Sequence, residues 1–305
     1  MADLTTKLGS LVLPNPVMTA SGTFGYGFEY HDYFDISTLG AVVVKGIAPF
    51  ASHGNPTPRV AETASGMLNA IGLQGPGVEK FLHGDEYMPF LRRVGARTIV
   101  NIWGKCVADY QEVARRLDAD SAGIVALEIN ISCPNVKAGG IAFGTDPVLA
   151  AEVVSAVREV TTLPLITKLS PNVSRIGDFA RTVVDAGSDM VSLINTLTGM
   201  AIDPETRRFR IANRTGGLSG PAIKPVAVRM IYETAQAVDV PIIGMGGIMN
   251  ALDAVEFLLA GASAIAVGTA IFADPYAPIK IIEGINEYLD RHGFESVDQI
   301  IGKAY

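Results

Sequence analysis

Eight short apolar runs recur along this chain, each followed by polar or glycine-rich residues. They are PVMTA (16–20), AVVVK (41–45), TIVNI (98–102), IVALEIN (124–130), PLITKL (164–169), MVSLIN (190–195), PIIGM (241–245) and AIAVG (264–268). Each is apolar on both faces and bounded by Gly, Pro or Asn, as a strand covered by helices must be. Helical spacing fills the stretches between. Tyr110, Val113, Ala114 and Leu117 keep the i, i+3, i+4, i+7 pattern. Ile176, Phe179, Ala180, Val183 and Val184 keep it more cleanly and end at Gly187, a plausible C′ glycine. Asp146-Pro147 reads as an N-cap followed by an N1 proline. Asn250 caps a helix that Gly261 stops, and Pro278 to Leu289 fits a further one.

Eight strand–helix units in 305 residues predict one (β/α)8 TIM barrel as a single domain over 1–305. An open doubly wound sheet would gather its polar residues at one switch point. Here they close nearly every strand: Lys45, Asn101, Asn130, Lys168 and Asn195 end the second to sixth runs. That ring converges on one mouth. Two long Gly/Pro-rich connections, 46–77 and 196–220, follow the second and sixth strands and are expected to be lid loops over the same face.

Charge and composition narrow the function. A net charge of −7 without Lys/Arg clusters argues against charge-driven binding to nucleic acid or an anionic membrane. MADLTTKLGS has no basic n-region leading to an apolar h-region. No apolar run approaches the roughly 18 residues of a membrane span. Two cysteines, Cys106 and Cys133, give no disulfide framework and fit a reducing cytoplasm. His31, His53, His83 and His292 are scattered, so no metal is expected.

The candidate chemistry lies at the strand ends. Glycines in Gly246-Gly247-Ile248 and Gly268-Thr269 would let backbone N–H groups approach a phosphate, or would only make tight turns. Ser219-Gly220, just before the seventh strand unit, favours the phosphate. Lys45 and Lys168 end apolar strands, which costs desolvation unless an anion meets them. In NISCPN (130–135), Cys133 follows a strand rather than lying inside it, and Pro134 fixes the turn beside it. A free cysteine is more often a small buried hydrophobe. A thiol with a pKa of about 8.5 can nevertheless abstract a proton that a carboxylate would leave in place. Cys106, in NIWGKC, has no such company and is expected to be structural. SGTFGYG (21–27) lacks the order of a dinucleotide fingerprint and reads as an irregular loop, with Ser21 free to face the pocket.

Taken together and in order, NISCPN, VVKG (43–46), MLNAIGLQGPG (67–77), KLSP (168–171), INT (194–196) and GMGGI (244–248) resemble dihydroorotate dehydrogenase over the whole chain. Cysteine rather than serine at 133 is similar to the cytoplasmic class 1 enzymes. NPVMTASGTFGYG (15–27) and GNPTPRVAET (54–63) look like the B type, the flavoprotein subunit of a complex that passes electrons to NAD. The resemblance implies one FMN per chain, with dihydroorotate stacked on its ring. By position, Ser21, Lys45, Gly46, Asn101, Asn130, Lys168, Ile194, Gly220, Gly246, Gly247, Gly268 and Thr269 would contact FMN. Lys45, Asn69, Ala70, Ile71, Gly72, Leu73, Asn130, Asn135, Asn195 and Thr196 would contact substrate. Cys133 would take the C5 proton while FMN N5 accepts hydride from C6, giving orotate for de novo pyrimidine biosynthesis. Lys168 would stabilise the charge of reduced flavin at its N1/O2 edge.

The chain has no Gly-rich fingerprint opening a helix, and only two cysteines where a [2Fe–2S] cluster normally takes four thiolates. A partner subunit carrying FAD and [2Fe–2S] is therefore expected, on a homodimer core that makes a heterotetramer. NIWGKC departs from the resemblance, with Trp103, Lys105 and Cys106 where smaller residues are expected. Three other readings stand beside this one. They are a fumarate-dependent A-type enzyme, another flavin barrel acting on an unsaturated pyrimidine (such as a tRNA dihydrouridine synthase, which needs a basic surface), and a non-catalytic phosphate-binding barrel.

Overall fold

A computed structural model describes residues 2–132 and 143–304 of the chain. Cys133 and Asn135 lie outside the described residues. Eight parallel strands make the barrel: β1 (Val17–Thr19), β2 (Val42–Ile47), β3 (Thr98–Ile102), β4 (Ile124–Asn130), β5 (Leu165–Lys168), β6 (Met190–Leu193), β7 (Ile242–Met245) and β8 (Ala264–Val267). Sheet neighbours follow chain order, and β8 pairs with β1. The ring closes between β1 and β2, where Met18 bridges Ala41 and Thr19 N donates to Ala41 O at 3.3 Å. All eight expected runs are strands, with ends displaced by at most two residues. Lys45 consequently lies inside β2, and Asn195 lies just past the end of β6.

The covering helices are α1 (Val78–His83), α2 (Met88–Arg93), α3 (Val107–Ala119), α4 (Pro147–Arg158), α5 (Ile176–Asp185), α6 (Lys224–Ala235), α7 (Ala251–Leu259), α8 (Ala270–Ala273) and α9 (Ala277–His292). The expected caps are present. Asp146 accepts from Val148 N and Leu149 N, and Asn250 accepts from Asp253 N, satisfying backbone donors that a helix start leaves unpaired. The first strand–helix unit differs from expectation, because only the 3-10 turn Ile36–Thr38 follows β1. The turns between them pack aromatic rings instead, with fully buried Phe24 stacked on Tyr30 at 4.5 Å.

Inside the barrel, Met18, Val43, Ile99, Ala126, Ile166, Met190 and Ile243 form an apolar lower layer. The antiparallel hairpin Thr6–Leu8 and Leu11–Leu13 plugs it, with Leu8 and Leu13 fully buried in the same cluster. Burying each such leucine stabilises the fold by about 1.5–3 kcal/mol. The upper layer is polar, and the functional cleft opens there.

The two long connections are not independent loops. Val60–Thr63, Gly66–Asn69, Thr215–Ser219 and Leu197–Met200 form one four-stranded antiparallel sheet across the mouth. Leu68, Ala61, Ala70 and Ile211 make its small core. Glycine hid three of these strands, and the sheet requires it: a Cβ at Gly216 would meet Asn69 O at 2.7 Å.

Candidate active site

A cleft of about 890 Å³ lies between the C-terminal ends of the strands and the lid sheet. That is near the upper end of the usual range for a small-molecule site. Lys45, Asn101, Asn130 and Lys168 line its floor; Ser21, Ile194, Asn195 and Thr196 line its sides. Gly220, Gly246, Gly247, Gly268 and Thr269 form one end, and Asn69, Ile71, Gly72 and Leu73 hang from the lid. Ala70 is displaced from this set. It is fully buried outside the cleft wall, and its carbonyl accepts from Asn55 Nδ2 at 3.0 Å, because alternation along the lid turns it into the sheet's own core.

Local structure explains how Lys45 and Gly46 both reach the cleft. In a regular strand they would face opposite sides. The β2–β3 register shifts between Val44↔Val100 and Ile47↔Ile102, so two residues of β2 oppose Asn101 alone. Such a bulge re-aims the chain. Gly46 has no room for a side chain: a Cβ there would lie 2.9 Å from Asn101 Oδ1 and 3.0 Å from Trp103 Cδ1. The unusual Trp103 is thus accommodated beneath the cleft floor, 4% exposed and edge-on to Phe50 at 5.4 Å. Lys105 extends over the Phe50 ring at 4.4 Å. Cys106 is exposed and outside the cleft, so it is not a core residue.

The floor is a connected polar network. Asn130 Nδ2 donates to Asn101 Oδ1 at 3.3 Å, and Asn101 Nδ2 donates to Glu128 Oε1 at 3.4 Å. Lys168 Nζ stands 3.8 Å from the same Glu128 oxygen. Ser132 Oγ donates to Asn130 Oδ1 at 3.2 Å and accepts from Asn195 Nδ2 at 2.6 Å. The residue immediately before Cys133 is therefore held by two cleft side chains. Glu128 was not singled out in the sequence, although a carboxylate inside the apolar run IVALEIN was the available signal. Ser192, also overlooked, pairs in register with Lys168; its buried hydroxyl has no hydrogen-bond partner among the described residues.

The glycine end of the cleft is tightly packed backbone. Gly246 and Gly247 have φ of +123° and +84°. A Cβ at Gly247 would meet Lys224 Cβ at 2.8 Å and Gly220 O at 2.9 Å. Lys224 is clamped by Asp253 and Glu256, each at 2.7 Å, and these hydrogen bonds (Asp253's first) raise its pKa above the ordinary lysine value. Gly247→Ala is expected to destabilise the fold by about 1–3 kcal/mol and to strip phosphate-bearing ligand from the purified protein. Thermal melts with and without ligand check this.

The family model described as dihydroorotate dehydrogenase matches residues 3–289. The chain belongs to that family. Among curated relatives, the catalytic subunit of dihydroorotate dehydrogenase B (NAD(+)) from Geotalea uraniireducens (strain Rf4) is 57% identical over 300 residues, covering 98% of this chain and 97% of the relative. The subunit of the same name from Alkaliphilus metalliredigens (strain QYMF) is 56% identical over 301 residues, covering 98% of each. That from Desulforamulus reducens (strain ATCC BAA-1160 / DSM 100696 / MI-1) is 54% identical over 303 residues, covering 99% of each. Membership of this dehydrogenase family implies a flavin, and the cleft suits one: a glycine cradle at one end, a lysine on the floor and amides around the mouth. Among the described residues no helix is long and apolar enough to cross a membrane.

Proposed function

We propose that this chain is the FMN-bearing catalytic subunit of an NAD-linked dihydroorotate dehydrogenase, oxidising dihydroorotate to orotate in pyrimidine biosynthesis. The observation that carries this reading is the gathering of Lys45, Asn101, Asn130, Lys168 and Asn195 with the Gly246-Gly247 cradle around one cleft. When bound, FMN supplies the two-electron acceptor. Backbone N–H groups at Gly246, Gly247, Gly268 and Thr269 would hold its phosphate, with Gly220 leaving room beside them. Lys168 would face the ring where reduction places negative charge. Asn69, Asn130, Asn135 and Asn195 would hold the substrate's carbonyl, N–H and carboxylate groups, and Lys45 would meet its charge. Cys133 would remove the C5 proton, while the lid sheet excludes water from the reacting atoms.

The relatives' shared name, "catalytic subunit", supports a partner for this chain. That partner would carry FAD and [2Fe–2S] and dock near the flavin, giving a heterotetramer in the cytoplasm. Anaerobic mixing of the purified chain with dihydroorotate, followed by the flavin spectrum, tests the reading. Bleaching of bound flavin is expected, with electrons passed to artificial acceptors but not to NAD in the partner's absence. No bleaching would sink the proposal. Fast turnover with fumarate alone would replace the electron sink while keeping the site.

A further inference from the structure

Glu128 and Lys168 are the two charged side chains that are fully buried among the described residues, at 2% and 5% exposure. Both project into the barrel's upper layer, on the neighbouring strands β4 and β5. Their closest approach is 3.8 Å, longer than a hydrogen bond, so this is a charge pairing rather than a tight contact. Glu128 Oε1 also accepts from Asn101 Nδ2 at 3.4 Å, and Asn101 accepts from Asn130, so the carboxylate anchors the polar floor. Glu128 itself does not line the cleft, whereas Lys168, Asn101 and Asn130 all do. Burying a carboxylate costs several kcal/mol, and an apolar residue of similar size often serves stability as well. Packing alone therefore does not account for a carboxylate in this place.

We infer that Glu128 is a positioning residue that balances the charge of Lys168 and so sets how strongly the cleft favours a reduced flavin. The inference rests on the flavin reading above. Two-electron reduction with uptake of one proton leaves one negative charge on a flavin's N1/O2 edge. A lone buried ammonium beneath that edge would favour the reduced state strongly. A carboxylate behind the ammonium offsets part of its field, most effectively where water is excluded. Reduced flavin is then held less tightly and gives up its electrons more readily. The same carboxylate keeps Lys168 from presenting an unbalanced charge beneath oxidised flavin.

The test compares Glu128→Gln, which removes the charge and keeps the shape, with Glu128→Asp, which keeps the charge and loses a methylene. FMN uptake is measured first, by quenching of Trp103, the chain's single tryptophan, which lies beneath Gly46 on the cleft floor. The loaded proteins are then equilibrated anaerobically with a reference dye, and the flavin and dye are read by absorbance. Glu128→Gln is expected to shift the balance toward reduced flavin at least about tenfold, roughly 30 mV for a two-electron couple. Glu128→Asp should stay within about threefold of the parent. An unchanged balance in a flavin-loaded Glu128→Gln protein overturns the inference while leaving the flavin reading intact. So does an aspartate variant shifted as far as the glutamine one, which would mark a packing role. A parent chain that takes up no FMN overturns both.

Discussion

Cys133→Ala should leave FMN bound and slow its reduction by dihydroorotate about 10²–10⁴-fold, the usual contribution of a positioned general base. The expectation rests on sequence and on the local frame. Ser132, the preceding residue, is 1% exposed and tied to Asn130 and Asn195, both of which line the cleft. Cys133→Ser should be slow near neutrality and recover at high pH, because a hydroxyl is a much weaker base than a thiolate. Anaerobic stopped-flow absorbance measures both variants. Near-normal reduction in the alanine protein would remove Cys133 from the mechanism. Cys106→Ala, at an exposed position outside the cleft, should leave the rate unchanged.

Lys168→Ala should affect both chemistry and fold. Loss of a preorganised charge facing the reacting group typically slows a reaction by about 10²–10³-fold. Removal of the ammonium also strands the buried Glu128 carboxylate, and breaking one side of such a pair costs about 3–5 kcal/mol. These effects separate in the double variant Lys168→Met with Glu128→Gln. It should recover most of the lost stability in a denaturant titration while flavin reduction stays slow. Recovery of both would show that Lys168 acts only through stability. Lys45→Ala, by contrast, should also raise the dihydroorotate concentration needed. Identical substrate dependence in the two lysine variants would mean that the pocket is wrongly assigned.

The barrel was legible because its strands are buried on both faces, so each appears as an unbroken apolar run that needs no alternation to detect. Helix ends were legible where a side chain caps them, as at Asp146 and Asn250. α6 went unnoticed although Ala227, Met230, Ile231 and Thr234 keep helical spacing, because Lys224-Pro225 offers no capping side chain ahead of it. The lid strands were illegible for a different reason. Each is four or five residues long and partly exposed, three of the four carry glycine, and the pairing that unites them, Gly66–Asn69 with Thr215–Ser219, joins two distant connections. Cleft-lining residues at strand ends were legible because polar groups there interrupt an apolar pattern. Glu128 escaped because attention to strand ends passes over a charge within a strand. The β2 bulge escaped because register belongs to two strands and cannot be read from one.

The lid joins segments far apart in the chain: Asn69 Nδ2 reaches Gly217 O across 148 residues. Closing so long a loop is entropically costly, so Gly66–Asn69 can pair with Thr215–Ser219 only after β2 and β6 have been brought to the same mouth. The roof of the cleft is thus a late product of folding, built on a ring that already stands. It also follows that the two halves of the roof are mechanically coupled. An opening that admits a ligand between Asn69 and Gly217 must either break backbone pairing or swing the whole small sheet as one plate. A perturbation at Leu197–Met200, on the outer edge of that plate, is transmitted through Thr215–Ser219 to the segment that carries Asn69.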